Sequence, residues 1–183
     1  ENAFFLENLL KNGAISAIGE TGFDFFTTEF RLQKEGQVKA WNICLELASF
    51  YKVPLVIHNR KALDMIFPYC KLLKKLPSVV FHSFAFSERE ALSILSHGIN
   101  AYFSFGKAIL KGNKKSIGCV KNLPLPALLL ETDAPYQTLS GEKFTSLRDI
   151  ELVYKEAAGL RGVSLETLSA ALENNFYKVF GCF

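Results

Sequence analysis

Short apolar runs alternate along the chain with longer stretches in which apolar residues recur every three or four positions. The short runs read as buried strands: AISAIG (14–19), VPLVIH (53–58), SVVFH (78–82), INAYFSF (99–105) and ALLLE (127–131). The longer stretches read as helices over 1–12, 37–51, 62–75, 87–98, 146–159 and 164–180. In the second of these, Val38, Trp41, Leu45 and Ala48 fall on one face. Pro68 interrupts the third and predicts a kink or a split. Ser87 and Glu90 form a capping box for the fourth, which Gly98 ends. Between 106 and 122 the pattern loosens into a basic stretch.

Strands that alternate with amphipathic helices predict an α/β protein with a parallel sheet. An open doubly wound sheet and a closed (β/α)8 barrel both satisfy that pattern. A complete barrel needs eight strands and typically about 250 residues. Five strands in 183 residues therefore amount to an incomplete TIM-barrel type, about three units short. No linker or low-complexity tract interrupts the alternation, which predicts a single domain over 1–183.

Composition narrows the class. With 49% hydrophobic residues and 17 Phe, the chain has ample material for a core, which excludes intrinsic disorder. The net charge of +3 permits a polyanionic partner without demanding one. Cys44, Cys70, Cys119 and Cys182 are scattered and form no CxxC pair, so they read as buried free thiols of a cytoplasmic protein. No apolar run approaches the roughly 20 residues that span a bilayer, and no membrane partner is expected.

Four ligand-type residues stand at the ends of the apolar runs: Glu20, His58, His82 and Asp133. A parallel barrel gathers the C-terminal ends of its strands on one face, so these residues converge there if the strands are adjacent. His58 and His82 close successive runs and would lie about one strand spacing, ~5 Å, apart, within reach of one ion. Taken singly, each His is equally well explained as a satisfied core residue. Glu20 lies in AIGETGFDF, whose glycines suit a tight loop, while Asp24 suits a cap on the next segment. Arg60 lies two residues beyond His58, placed either to clamp a phosphate or to make a surface ion pair. Alternation puts Glu131 and Asp133 on one side of the last strand; an Asx-turn before Pro135 is the plainer role for Asp133. His97, in a final helical turn, reads as structural, and Lys111, Lys114 and Lys115 as a solvated loop. The GxSxG, P-loop and GxGxxG patterns are absent from the sequence.

AIGETGFDF, VPLVIHNR, VFHSFAFS, AYFSFG and LLLETDAPY, in that order, resemble the TatD family of metal-dependent deoxyribonucleases, part of the amidohydrolase-like metallohydrolase group. The resemblance implies that Glu20, His58, His82 and Asp133 end strands four, five, six and eight of the barrel, with AYFSFG as strand seven. It implies Glu20 as a bridging carboxylate, His58 and His82 as metal ligands, and Asp133 as the last ligand and partner of the hydrolytic water. Glu20 and Asp133 would then be catalytic, and Arg60 would face a DNA substrate. Two divalent ions are implied, Mg²⁺ or Mn²⁺ by preference, with Zn²⁺ admitted by the His ligands. The family's first strand carries a His-x-His pair that has no counterpart among His58, His82 and His97. Missing N-terminal strands, or a second chain, would then be needed to close the barrel. The segments Ala85–Phe86 and Thr145–Ser146–Leu147 also depart from the family's polar ones. The resulting expectation is a divalent-metal DNase, with this piece an inactive fragment if the His-x-His strand is indispensable. A hydrolase of a small ester, lactone or amide on the same barrel and a non-catalytic binding member are the alternatives.

Overall fold

The structure, a computed structural model, describes residues 2–181; Cys182 lies outside the described residues. The chain forms two compact units. The first takes in residues 2–82, 94–101 and 179–181, and the second takes in 83–93 and 102–178.

In the first unit β1 (Ile18–Asp24), β2 (Leu55–Arg60) and β3 (Val79–His82) pair in parallel and in chain order. α1 (Asn2–Lys11), α2 (Thr28–Leu32), α3 (Lys34–Tyr51) and the single-turn α4 (Cys70–Leu73) accompany them. Alternation decides which side chains go where. Leu55, Ile57 and Asn59 of β2 are buried, while Val56, His58 and Arg60 share the opposite, partly open face. From α3, Trp41, Leu45 and Ala48 are buried, as the helical spacing predicts. The Trp41 ring stands 5.2 Å from Phe23 and 5.3 Å from Tyr69. Pro68 splits the 62–75 stretch into two 3₁₀ turns, Leu63–Met65 and Phe67–Tyr69, followed by α4. His97 follows α5 (Glu88–Ser96) and packs its ring against Phe67 at 5.8 Å.

The second unit holds most of β4 (Ala101–Phe105), then α6 (Lys114–Asn122), β5 (Leu128–Leu130), α7 (Ile150–Arg161) and α8 (Leu165–Phe180). β4 and β5 are parallel, with Phe103 opposite Leu128 and Phe105 opposite Leu130. Phe84 anchors this core, 4.7 Å from the Phe103 ring and 6.2 Å from that of Phe105. α6 occupies the basic stretch that sequence reasoning leaves as a loop. Asn113 caps it, its side-chain oxygen accepting the Lys115 and Ser116 N–H groups at 3.1 Å each. The capping box of α5 forms as its sequence predicts: the Ser87 N–H donates to Glu90 at 2.6 Å and the Glu90 N–H to the Ser87 hydroxyl at 3.4 Å.

One shift matters for the site. β1 begins at Ile18 and runs through Asp24, so Glu20 and Asp24 lie within the strand instead of in a loop beyond it. The two glycines make this register sterically possible. A Cβ on Gly19 would stand 2.5 Å from the Val56 carbonyl oxygen, and one on Gly22 only 1.9 Å from that of His58. Both residues also have positive φ, 152° and 149°. The IGETGFD segment is therefore strand because its glycines let β1 press against the β2 backbone, with a bulge between Ile18 and Thr21 absorbing the irregular pairing.

Candidate metal centre

Strand register brings three predicted residues of the first unit together. His58 on β2 pairs directly with His82 on β3, and Gly22 on β1 pairs with His58. Gly22 has no side chain, so the space beside the His58 ring is flanked by the residues two positions either side, Glu20 and Asp24. Each faces a different ring nitrogen. Glu20 Oε2 lies 3.6 Å from His58 Nδ1, and Asp24 Oδ2 lies 3.1 Å from His58 Nε2. His82 Nε2 completes the group, 3.3 Å from Glu20 Oε2 and 3.5 Å from His58 Nδ1.

These separations carry chemical information. Glu20, His58 and His82 each offer one ligand atom to a common point, and all three separations exceed the 2.7–3.2 Å usual for N–H···O hydrogen bonds. Tetrahedral ligand atoms with bonds of about 2.1 Å stand about 3.4 Å apart. The triangle therefore has the dimensions of one face of a coordination polyhedron. Two imidazoles and one carboxylate also form a donor set that divalent transition ions accept. The His58–Asp24 contact, by contrast, is a hydrogen bond. It places the ring proton on Nε2 and leaves the Nδ1 lone pair for the cluster.

Asp24 is itself held on several sides. Its Oδ1 accepts the Phe26 N–H at 2.8 Å, and Arg60 Nη1 stands 3.6 Å from its Oδ2. Gln37 of α3 clasps its main chain: Gln37 Oε1 accepts the Asp24 N–H at 2.9 Å, and Gln37 Nε2 donates to the Asp24 carbonyl at 3.2 Å. Sequence reasoning makes Asp24 a cap on the next segment, but Thr27 caps α2, its hydroxyl accepting the Phe30 N–H at 3.2 Å, and Asp24 instead closes a turn at Phe26 and bonds His58. The signal for the His58 bond is present, since positions 20, 22 and 24 share one face once β1 is extended past Gly19.

Asp133 belongs to the second unit. β5 ends at Leu130, and Asp133 follows it with φ of 56°, so strand alternation does not extend to this residue. Its Oδ2 accepts from Gln137 Nε2 at 3.1 Å, and the same amide donates to the Ser83 hydroxyl at 2.8 Å. Glu131 accepts a hydrogen bond from the Ser104 hydroxyl, and Ser104 Oγ in turn accepts the Ser83 N–H at 3.2 Å. Asp133 and Glu131 are thus joined through Gln137, Ser83 and Ser104 within one network. Nothing in the sequence around Gln137 distinguishes it from an ordinary polar loop residue. Arg60 lies half-buried on the same face of β2 as His58.

None of the described thiols is chemically prepared for nucleophilic work. Burial raises Cys44 and Cys70 above the usual thiol range and pushes Cys119 up to about 12, with Glu88 and Glu90 adding to the last shift.

Parallel β/α architecture with a His–His–carboxylate cluster on one sheet face defines the class: metal-dependent hydrolases. The chain belongs to the TatD related DNase family, whose sequence pattern matches residues 1–181. It is 30% identical over 190 residues to the 3'-5' ssDNA/RNA exonuclease TatD of Erwinia billingiae, covering 98% of this chain and 71% of the relative. An uncharacterized metal-dependent hydrolase of Mycoplasma pneumoniae is 29% identical over 175 residues, covering 91% of this chain. The chain spans 65% of that relative's length, and 43% of a putative deoxyribonuclease TATDN1 homolog from Enterocytozoon bieneusi to which it is 31% identical. Among solved structures, YJJV, a TatD homolog from Escherichia coli, superimposes with a TM-score of 0.86 at 27% identity, covering 99% of this chain and 70% of that one. The fold is thus the α/β, TIM-barrel type of the TatD structures. No helix among the described residues is long and apolar enough to cross a membrane.

Proposed function

We propose that the protein hydrolyses phosphodiester bonds of DNA or a related single strand with the help of divalent ions. The observation that carries this reading is the Glu20–His58–His82 triangle, whose edges of 3.3 to 3.6 Å suit coordination better than hydrogen bonding. Its family membership and the name of the Erwinia relative, an ssDNA/RNA exonuclease, support the choice of substrate.

In this reading Glu20, His58 and His82 bind one ion, and Glu20 and Asp133 are the catalytic carboxylates. Divalent ions bound there would neutralise charge developing on the phosphate and acidify a water nucleophile. Asp133 accepts the proton of the attacking water, oriented for it by the amide of Gln137. Asp24 keeps the His58 proton on Nε2, and Arg60 meets a phosphate oxygen of the strand. Two ions are proposed, Mg²⁺ or Mn²⁺ on the carboxylates, with the imidazole pair also admitting Zn²⁺. The second ion and closure of the barrel call for ligands and strands supplied by further polypeptide. The partial span of the relatives' lengths supports that reading. Residues 1–183 form one functional domain in this proposal, working in the cytoplasm, where the three described free thiols stay reduced.

The test is cleavage of an end-labelled single-stranded oligonucleotide in Mg²⁺ or Mn²⁺. The complete protein, with the further strands in place, is expected to cut it, with activity removed by chelation and lowered at least 100-fold by Glu20→Ala or Asp133→Ala. Undiminished divalent-dependent cleavage by either variant contradicts the assignment.

A further inference from the structure

Beyond His58 the open face of the first unit carries an aromatic ring that neither the fold nor the metal cluster uses. Phe26 is 50% exposed, and two cations lie over its ring: the Arg60 guanidinium carbon at 4.1 Å from the centroid and the Lys61 ammonium at 4.5 Å. The group is built, not accidental. The Phe26 N–H is tied to Asp24, whose other oxygen bonds His58, so the ring is one residue removed from the cluster. Lys61 reaches it from a left-handed backbone position, φ 55°, in a turn closed by the buried Asn59 side chain, whose amide donates to the Ala62 carbonyl at 3.1 Å.

An exposed ring with two cations is poorly explained as a stabilising device. Each exposed cation–π contact is weak, and two like charges gathered on one ring oppose each other. Asp24 stands beside Arg60, but among the described residues Lys61 makes no ion pair. What the group lacks is a negative charge for Lys61 and a second flat face. A single nucleic-acid strand supplies both, with phosphates for the cations and a base to stack on the ring. Bases in a duplex are already stacked and could not use it, and a free phosphate would engage the cations while ignoring the ring.

We infer that Phe26, Arg60 and Lys61 form a subsite for one nucleotide of a single strand, the base stacked on Phe26 and its phosphate held by the two cations, beside the Glu20–His58–His82 cluster. This rests on the proposed nucleic-acid substrate and adds the element that selects a single strand. The exposed position of Phe26 makes its replacement harmless to folding, which thermal melting verifies.

The test needs no catalysis and no metal. A fluorescein-labelled oligothymidylate is titrated in EDTA with the wild-type protein, Phe26→Ala, Phe26→Trp and Lys61→Ala, followed by anisotropy. Phe26→Ala is expected to bind roughly 5- to 100-fold more weakly, as the loss of one stacked base implies, while Phe26→Trp retains affinity. Lys61→Ala is expected to reduce the slope of log affinity against log salt by about one phosphate contact. An abasic oligonucleotide of the same length should bind wild type and Phe26→Ala equally. Equal oligothymidylate binding by wild type and Phe26→Ala overturns the stacking subsite while leaving the nucleic-acid reading intact. A wild-type protein that binds no oligonucleotide overturns both.

Discussion

His58 has two nitrogens with two different tasks, and the residues around Gly22 divide them. Glu20 lies toward Nδ1 and Asp24 toward Nε2, because the glycine between them leaves the ring's flank open. A carboxylate that fixes the proton of a metal-binding imidazole typically improves metal affinity 10- to 100-fold. Asp24→Ala is therefore expected to weaken Mn²⁺ binding by roughly that factor. It should also move the His58 ring from a single Nε2–H tautomer to a mixture in ¹⁵N spectra of the metal-free protein. An unchanged tautomer and affinity would strip Asp24 of this role. Gly22 admits no such graded test, since any Cβ there meets the His58 carbonyl at 1.9 Å and must displace the strand that carries the ligand.

Among the elements, the segment between β5 and α7 is pinned by one fully buried cation. Lys107, just after β4, bonds Glu142 and, at 2.8 Å, Asp149. Glu142 also accepts the Leu139 N–H at 2.7 Å, and Asp149 accepts the Ser146 N–H at 2.9 Å in the capping box that precedes α7. Burial works against the ammonium charge, but the bonds to Asp149 and Glu142 outweigh it and raise the Lys107 pKa, while Lys107 holds both carboxylates below their usual range. The stabilisation is complete above the ordinary carboxylate range and below the ordinary lysine value. It fades as pH falls through the lowered carboxylate values, and again as pH rises through the raised lysine value. Lys107→Ala is expected to lower the thermal midpoint by several degrees near neutral pH and to flatten the acid limb. A midpoint unchanged at neutral pH would show the contact to be idle. Lys107 has no sequence signature, because its partners lie 35 and 42 residues away and only the folded chain brings them together. The strands and α3, by contrast, are legible from local periodicity, and the α5 cap from four consecutive residues. β1 is misplaced because its glycines resemble a turn until the neighbouring strand's backbone is present. α6 is missed because only its inner face, Ser116, Cys119 and Val120, is buried, and two of those residues are not strongly apolar.

For the molecule as a whole, a net charge of +3 with Arg60 and Lys61 beside the cluster favours a polyanion over a small neutral ester. Oligonucleotide binding is expected to fall linearly in log affinity with log salt, by about 0.7 per phosphate contact. A salt-independent affinity would point to a small uncharged substrate. The sequence carries the ligand types in order, yet not the triangle they form, which depends on strand register and on a side chain missing at Gly22. Everything proposed for the chemistry rests on that triangle holding an ion, and calorimetric titration of Mn²⁺ into the metal-free protein reads this out without any substrate. Saturable binding is expected for the wild type, weakened at least tenfold in each of Glu20→Ala, His58→Ala and His82→Ala with folding retained. Equal binding by wild type and all three variants would contradict it.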